Sequence, residues 1–105
     1  MDRQGRRLNL HEELCDVLGS RRVYFSPPET EQMEYPCIVY YRSSDMNIKA
    51  DNLSYLKYST WDLTVIDYDP DSEIPERLLD HFEFINASKE YTADNLNHFP
   101  FNLFY

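Results

Sequence analysis

The sequence is short of glycine and cysteine, and each shortage argues against a class of function. Gly5 and Gly19 are the only two glycines among 105 residues, which argues against a loop whose backbone amides cradle phosphate. The two cysteines, Cys15 and Cys37, form no C-x-x-C motif, and no secretory hydrophobic segment precedes them. The simplest interpretation is an intracellular protein with two buried free thiols, while a single bridge between them stays open.

Long hydrophobic runs and positive charge are also lacking. No apolar run approaches the length of a membrane-spanning helix, so we expect no membrane association. There are 10 Lys and Arg against 19 Asp and Glu, a net charge of −9, which argues against non-specific nucleic-acid binding. The acidic balance is compatible with mimicry of DNA, with an acidic wall along which DNA slides, or with solubility alone.

Signatures of catalysis are missing as well. The sequence has no G-x-S-x-G, no P-loop, no H-E-x-x-H and no His-x-His, and its histidines, His11, His81 and His98, are far apart. Cys37 lies in an apolar run, an unsuitable setting for a reactive thiolate. We therefore predict no catalytic residue, no cofactor and no metal site.

The sharpest acidic cluster begins at Asp67, where Asp69 and Asp71 complete a D-x-D-x-D spacing. A calcium-binding EF-hand loop would need glycine at its sixth position and glutamate at its twelfth, which here are Ser72 and Leu78. The cluster is better interpreted as the end of a strand followed by a helix start, with Asp67, Asp69 and Asp71 as a candidate acidic surface.

What the chain does have is hydrophobic periodicity and many tyrosines. Hydrophobic residues make up 42 %, enough for one compact domain over residues 1–105. Trp61, Leu63 and Val65 alternate with polar residues, which is typical of a half-buried strand. Nine tyrosines mildly favour an interaction protein, although strands alone are also rich in tyrosine.

Periodicity and turn residues predict the following elements: a helix over 10–18, strands at 23–25, 37–42 and 58–67, a helix from 72 or 73 to 85, and strands at 90–92 and 98–105. Asn9 is the expected N-cap of the first helix and Gly19 its end. Pro100 must turn its nitrogen toward an edge or a bulge. The order predicts an α+β fold, an antiparallel sheet with two helices packed on one face.

Two segments are candidates for contact with other proteins. Residues 1–8 are expected to be a flexible basic N-terminus able to dock on an acidic surface of a neighbouring copy. Residues 43–57 form a long connection with interspersed apolar residues, which favours a contact arm. The candidate subunit or partner interface comprises Arg6, Arg7, Met46, Ile48, Leu53, Tyr55, Phe104 and Tyr105.

Five stretches together carry a resemblance to a known family. They are VYF-x-PPE at 23–29, M-x-YPCIVY at 33–40, ADN-x-x-Y at 50–55, TVID-x-DPDS at 64–72 and Y-x-x-DNLNH at 91–98. With the aromatic C-terminal strand, this pattern resembles the tail terminator, or tail-completion, proteins of long-tailed bacteriophages. The resemblance covers nearly all of the chain beyond about residue 8.

The resemblance implies a structural virion protein with a fold similar to that of tail tube proteins. Such proteins form a hexameric ring at the head-proximal end of the tail tube, stop its polymerisation and join it to the head connector. Genomic DNA passes through the lumen without specific binding, and the ring is assembled in the host cytoplasm. The partners implied are further copies of the chain, the tail tube protein and a connector protein of the neck.

Two other functions remain open from the residues. One is a connector or stopper on the head side of the same neck. The other is a small acidic inhibitor that mimics DNA, which would need a continuous exposed row of carboxylates. An enzyme has the least support, because no nucleophile, metal set or cofactor loop can be assembled from the sequence.

Overall fold

The computed structural model describes residues 2–44 and 59–105. The elements are α1 (Arg3–Leu18), β1 (Val23–Phe25), β2 (Cys37–Ser44), β3 (Thr60–Asp67), α2 (Ile74–His81), β4 (Ile85–Ala87), β5 (Tyr91–Ala93) and β6 (Leu96–Phe104). They form an α+β domain in which both helices pack against one six-stranded sheet, so the predicted fold class is confirmed.

The sheet is mixed rather than wholly antiparallel. Its order is β1-β2-β3-β6-β4, with β5 also paired to β6. β1 runs parallel to β2, while the other pairs are antiparallel. A parallel pair requires a long connection, and residues 26–36 provide it. The prediction of an antiparallel sheet was wrong at this edge because no local pattern reports the direction in which β1 pairs.

The main core lies between the helices and one face of the sheet, here called the helix face. Trp61, Leu63 and Val65 are fully buried there, which confirms the alternation predicted for β3. The register places Leu63 between Tyr40 of β2 and Phe101 of β6, so three neighbouring strands contribute to one apolar layer. Burial of these large side chains is the main source of stability in a sheet of this kind.

Helix α1 begins at Arg3, seven residues before the predicted start at Leu10. Asp2 is its N-cap, and the Asp2 Oδ1 accepts a hydrogen bond of 2.7 Å from the Gly5 amide. The predicted cap, Asn9, therefore lies inside the helix, and residues 3–8, predicted to be a flexible tail, form its first turns. The helix ends as predicted, with Gly19 in the left-handed conformation at φ 83°.

Helix α2 is shorter than predicted. It ends at His81, and Phe82 already has an extended backbone, although its amide still donates to the Leu78 carbonyl. Ile85, predicted to extend the apolar stripe of this helix, instead pairs with Leu103 as part of β4. The sequence contains no sign of so short a strand, because the pairing depends on β6 lying alongside it.

Pro100 explains why this edge of the sheet is broken. Its carbonyl accepts a hydrogen bond of 2.8 Å from the Ser88 amide, between β4 and β5. In an antiparallel ladder the nitrogen and carbonyl of one residue point to the same side, so the Pro100 nitrogen faces the break between the two strands. The edge thus consists of two three-residue strands, which agrees with the position predicted for Pro100.

The opposite side of the sheet, here called the second face, is partly covered by residues 26–36, here called the strap. Met33 and Tyr35 of the strap pack against a smaller apolar cluster that includes Cys37 and Ile66. The Arg22 guanidinium holds the strap by donating a hydrogen bond of 3.0 Å to the Tyr35 carbonyl.

The two thiols lie on opposite sides of the sheet. Cys15 belongs to the main core and Cys37 to the second-face cluster, and both are buried and free, as predicted. Burial raises the pKa of the Cys37 thiol to about 12. Cys37 is consequently a packing residue.

Candidate functional site

A groove of about 310 Å³ lies on the second face, between the strap and the exposed part of the sheet. Its floor comes from three adjacent strands whose register aligns their side chains. Val39 of β2 lies opposite Thr64 of β3, and Ile66 of β3 lies opposite His98 of β6. The floor is therefore mostly apolar, with one hydroxyl and one imidazole.

Two tyrosines stand at the rim of the groove. Tyr41 is 46 % exposed and Tyr91 is 52 % exposed. The Tyr91 ring stacks on His98, with centroids 4.7 Å apart and an interplanar angle of 14°. The Nδ1 of His98 donates to the Leu96 carbonyl at 3.1 Å, which fixes the tautomer of the ring. Rigid, partly exposed tyrosines are typical of protein-binding surfaces.

Two glutamates of the strap give the groove its negative charge. Glu29 and Glu31 line it and are exposed, and a turn in which the Glu31 amide donates to the Pro28 carbonyl holds them together. Among the residues that the structure describes, no lysine or arginine lines the groove. The arrangement suits a cationic side chain with an apolar stem, because carboxylates and tyrosine rings both attract cations.

Of the three aspartates in the predicted acidic surface, two are exposed and one is buried. Asp67 is 9 % exposed, and its Oδ1 accepts a hydrogen bond of 3.1 Å from the Asp69 amide. Asp69 in turn accepts one of 2.9 Å from the Asp71 amide. Asp69 and Asp71 are exposed, but Asp67 closes a turn and has to be removed from the candidate surface. Ser72, at the predicted start of α2, accepts a hydrogen bond of 3.3 Å from the Ile74 amide, although Glu73 is the N-cap residue.

The two N-terminal candidates differ in their surroundings. The Arg7 guanidinium lies over the Phe25 ring, 4.8 Å from its centroid, so Arg7 packs within its own chain. Arg6 is half-buried and forms no side-chain hydrogen bond or ion pair with residues 2–44 or 59–105. Of the predicted pair, Arg6 is therefore the one without a ring contact or an ion pair in this part of the chain, and the interface role of both stays a prediction.

The C-terminal candidates also lie on different sides of the sheet. The register places Phe104 opposite Thr60 on the second face, where it is half-buried. Tyr105 lies on the helix face, where its hydroxyl donates to Glu13 and accepts a hydrogen bond of 2.7 Å from Asn9. Burial, followed by these contacts with Glu13, raises the pKa of Tyr105 to about 12. Tyr105 therefore joins the helices to the sheet, and its role at an interface stays a prediction.

The remaining interface candidates, Met46, Ile48, Leu53 and Tyr55, lie outside the described residues. Of the predicted arm over 43–57, the structure describes only residues 43 and 44, which end β2. The arm stays a prediction.

Two histidines in the helices take part in contacts within the chain. The Nδ1 of His11 lies 2.7 Å from the Tyr40 hydroxyl, and burial is the main cause that lowers the pKa of His11. The Nε2 of His81 lies 2.9 Å from Glu13 Oε1, joining α2 to α1. Both contacts fix the helices and lie on the face of the sheet opposite the groove.

Neither metal ligands nor membrane spans are found in the described part of the chain. Residues 2–44 and 59–105 contain no group of three or more His, Cys, Asp or Glu side chains that could hold a metal ion. Neither of their helices is long and apolar enough to cross a membrane.

The groove contains residues that the sequence analysis missed: Glu29, Glu31, Tyr41, Tyr91 and His98. The alternation in β2 would have placed Tyr41 on the face of Val39, but nothing local shows that the strap returns over that face. When the chain is compared with models of known families, with curated proteins and with solved structures, nothing matches.

Proposed function

We propose that this protein is a non-catalytic structural subunit that assembles with copies of itself into a ring. The observation that carries the proposal is the second face of the sheet, which the strap covers only in part. The exposed remainder has Tyr41, Asp62 and Asn102 side by side in register on three neighbouring strands. A sheet face with tyrosine at its edge and a groove beside it is suited to contact with another protein.

The edges of the sheet support self-assembly. β1 has three residues at one edge, and β4 and β5 have three each at the other. Short edge strands limit uncontrolled pairing, yet they leave backbone donors and acceptors that a neighbouring subunit can use in a defined register. Strands continued from subunit to subunit around a closed ring would satisfy both edges.

The resemblance to tail terminators gives the ring a specific role, and its stretches coincide with the groove. The stretch at 23–29 contributes Glu29, that at 33–40 contributes Met33 and Val39, and that at 91–98 contributes Tyr91 and His98. We propose that the ring sits at the head-proximal end of a phage tail tube, ends tube growth and meets the head connector. The net charge of −9 per copy would keep DNA mobile in its lumen.

The first test is the mass in solution, measured by light scattering over a rising concentration series with negative-stain images of the same fractions. A species near six times 12.6 kDa that images as a ring with a central hole supports the proposal. A monomer at every concentration, both alone and with isolated tail tubes added as a template, contradicts it.

A second measurement separates the tail side of the neck from the head side. The purified protein is offered isolated tail tubes and, separately, portal-adaptor assemblies, and the bound fraction is quantified. Preference for tube ends supports the terminator role. Preference for the head-side assemblies indicates a connector or stopper.

The inhibitor alternative gains no specific support from the structure. A DNA mimic needs a row of exposed carboxylates, whereas Asp67 is buried and Glu12, Glu34 and Glu73 are paired with arginines. Other acidic residues of the described part face different sides of the domain, with Asp62 on the second face and Glu76 on α2.

A further inference from the structure

We propose that the groove on the second face receives the basic first turns of α1 from another copy, with Arg6 as the inserted side chain. This inference rests on the proposed self-assembly and names its contact. It follows from the position of the groove, from the surroundings of Arg6 and from the chemistry that both surfaces offer.

The first turns of α1 continue the helix face, but with charge in place of apolar residues. Arg3, Arg6 and Arg7 precede Leu10 and Leu14 at helical spacing, on the stripe that farther along is buried in the main core. The basic turns therefore lie at one end of the helix face, where the Arg42 guanidinium reaches the Arg3 carbonyl.

The groove is on the other side of the same sheet. Its floor residues Val39, Thr64 and Ile66 alternate along their strands with residues that point to the helices. Side chains on the two sides of a sheet are separated by the whole backbone layer. Arg6 consequently does not reach the groove of its own chain, and an occupant with this charge has to come from a second copy.

Several arginines of the described residues are already engaged within the chain. Arg21, Arg22 and Arg77 each have a carboxylate partner at 2.6, 3.4 and 3.5 Å respectively. Arg7 is stacked on Phe25, which leaves Arg6 as an arginine of α1 without an acidic partner in this part of the chain.

The groove offers what a guanidinium needs. Glu29 and Glu31 are exposed and form no ion pair within the described part of the chain, so their charges are available to a neighbour. Pro28 and Met33 can cover the arginine stem, and Tyr41 presents an aromatic ring at the rim. Charge, apolar surface and a ring are thus combined in one groove of about 310 Å³.

This contact determines the symmetry of the assembly. The donor is the start of α1 and the acceptor is the opposite side of the sheet, so the two surfaces are different. A two-fold dimer needs both surfaces within one self-complementary patch. Because they lie on opposite sides of the sheet, the contact is head-to-tail, and its repetition closes into a ring or grows into an open filament.

Charge exchange tests the proposal. Arg6→Glu and the pair Glu29→Arg with Glu31→Arg should each raise the concentration needed for half-maximal assembly at least about tenfold. Combining all three changes in one chain should restore assembly, because the charges are exchanged rather than removed. Arg77→Glu and Glu76→Arg on α2 are the matched controls, since they exchange the same residue types away from both surfaces and from the sheet edges, and they should leave the mass of the assembly unchanged.

The results also separate this inference from the proposed function. If the unaltered protein forms rings and the Arg6 and glutamate variants assemble as well as the controls, the groove contact is wrong while self-assembly stands. If the Arg6 and glutamate variants lose assembly and the variant that combines all three substitutions does not regain it, the pairing of Arg6 with the groove is also wrong. An unaltered protein that stays monomeric even with tube ends present overturns both proposals. Far-UV circular dichroism verifies that each variant is folded.

Discussion

At the scale of single residues, hydrogen bonds from tyrosines join elements that are far apart in sequence. Tyr105 contacts Glu13 and Asn9 of α1, and its ring packs edge-on against Phe82 after α2. Tyr40 makes a similar contact with His11. The sequence predicted that Tyr105 ends the last strand, but only the folded chain shows that its hydroxyl reaches α1.

Replacing Tyr105 with phenylalanine should lower the free energy of unfolding by about 1 kcal/mol, the usual value of a lost side-chain hydrogen bond. The ring keeps its contact with Phe82, and Glu13 keeps its contact with His81 at 2.9 Å, so the loss is confined to the hydroxyl. Urea unfolding measures the change. Tyr68→Phe is the control, because Tyr68 is 66 % exposed and its hydroxyl can bond to water in either state. Equal stability of the two variants would contradict this assignment.

At the scale of elements, α1 shows how a helix can begin well before its apolar stripe. The first buried side chain is Leu10, which is why periodicity placed the start there. The preceding turns are held by the Asp2 cap and by the Arg7 contact with Phe25, neither of which is a hydrophobic signal.

Asp2→Ala should lower the free energy of unfolding by about 1 kcal/mol, because the Gly5 amide loses its side-chain acceptor and the helix dipole loses a favourable charge. Thermal unfolding followed by circular dichroism measures the loss. Asp16→Ala is the matched control, since Asp16 is exposed in the last turn of the same helix, where a negative charge opposes the dipole. It should leave stability unchanged or raise it slightly. A helix that began at Leu10 would be insensitive to Asp2→Ala.

At the scale of the whole molecule, buried acids on both sides of the sheet make stability depend on alkaline pH. Burial is the main cause that raises the pKa of Cys37, Tyr40 and Tyr105 to about 12. In the unfolded chain the thiol ionises near 9.0 and the phenols near 10.0. The unfolded state therefore loses protons first, and its free energy falls relative to that of the folded state as the pH rises, so the protein becomes less stable.

The urea midpoint should accordingly be nearly constant between about pH 7 and 9 and should fall between pH 9 and 12. Cys37→Ala should make the fall between about pH 9 and 10 shallower, because only the raised pKa of the buried Cys15 thiol then acts below the range in which the tyrosines ionise. Measuring the midpoint at half-unit steps from pH 7 to 12 provides the profile. A midpoint that stays level up to pH 12 in the unaltered protein would show that these groups are not shifted.

The sequence by itself determined the features that depend on neighbours along the chain. The alternation around Trp61, the stripe from Leu10 to Leu18, the stop at Gly19 and the edge position of Pro100 are all periodicities or local backbone preferences, and the structure agrees with each. They were enough for the α+β class and for the helix face as the main core.

The tertiary structure alone decided the features that depend on where distant segments meet. The parallel pairing of β1, the short strand β4 and the burial of Asp67 arise from contacts across the sheet. The groove is of the same kind, because Glu29, Tyr41 and His98 belong to a strap and two strands that only folding brings together. A sequence records the period of each element, whereas the direction of pairing and the path of a connection are decided by the free energy of the whole packed chain.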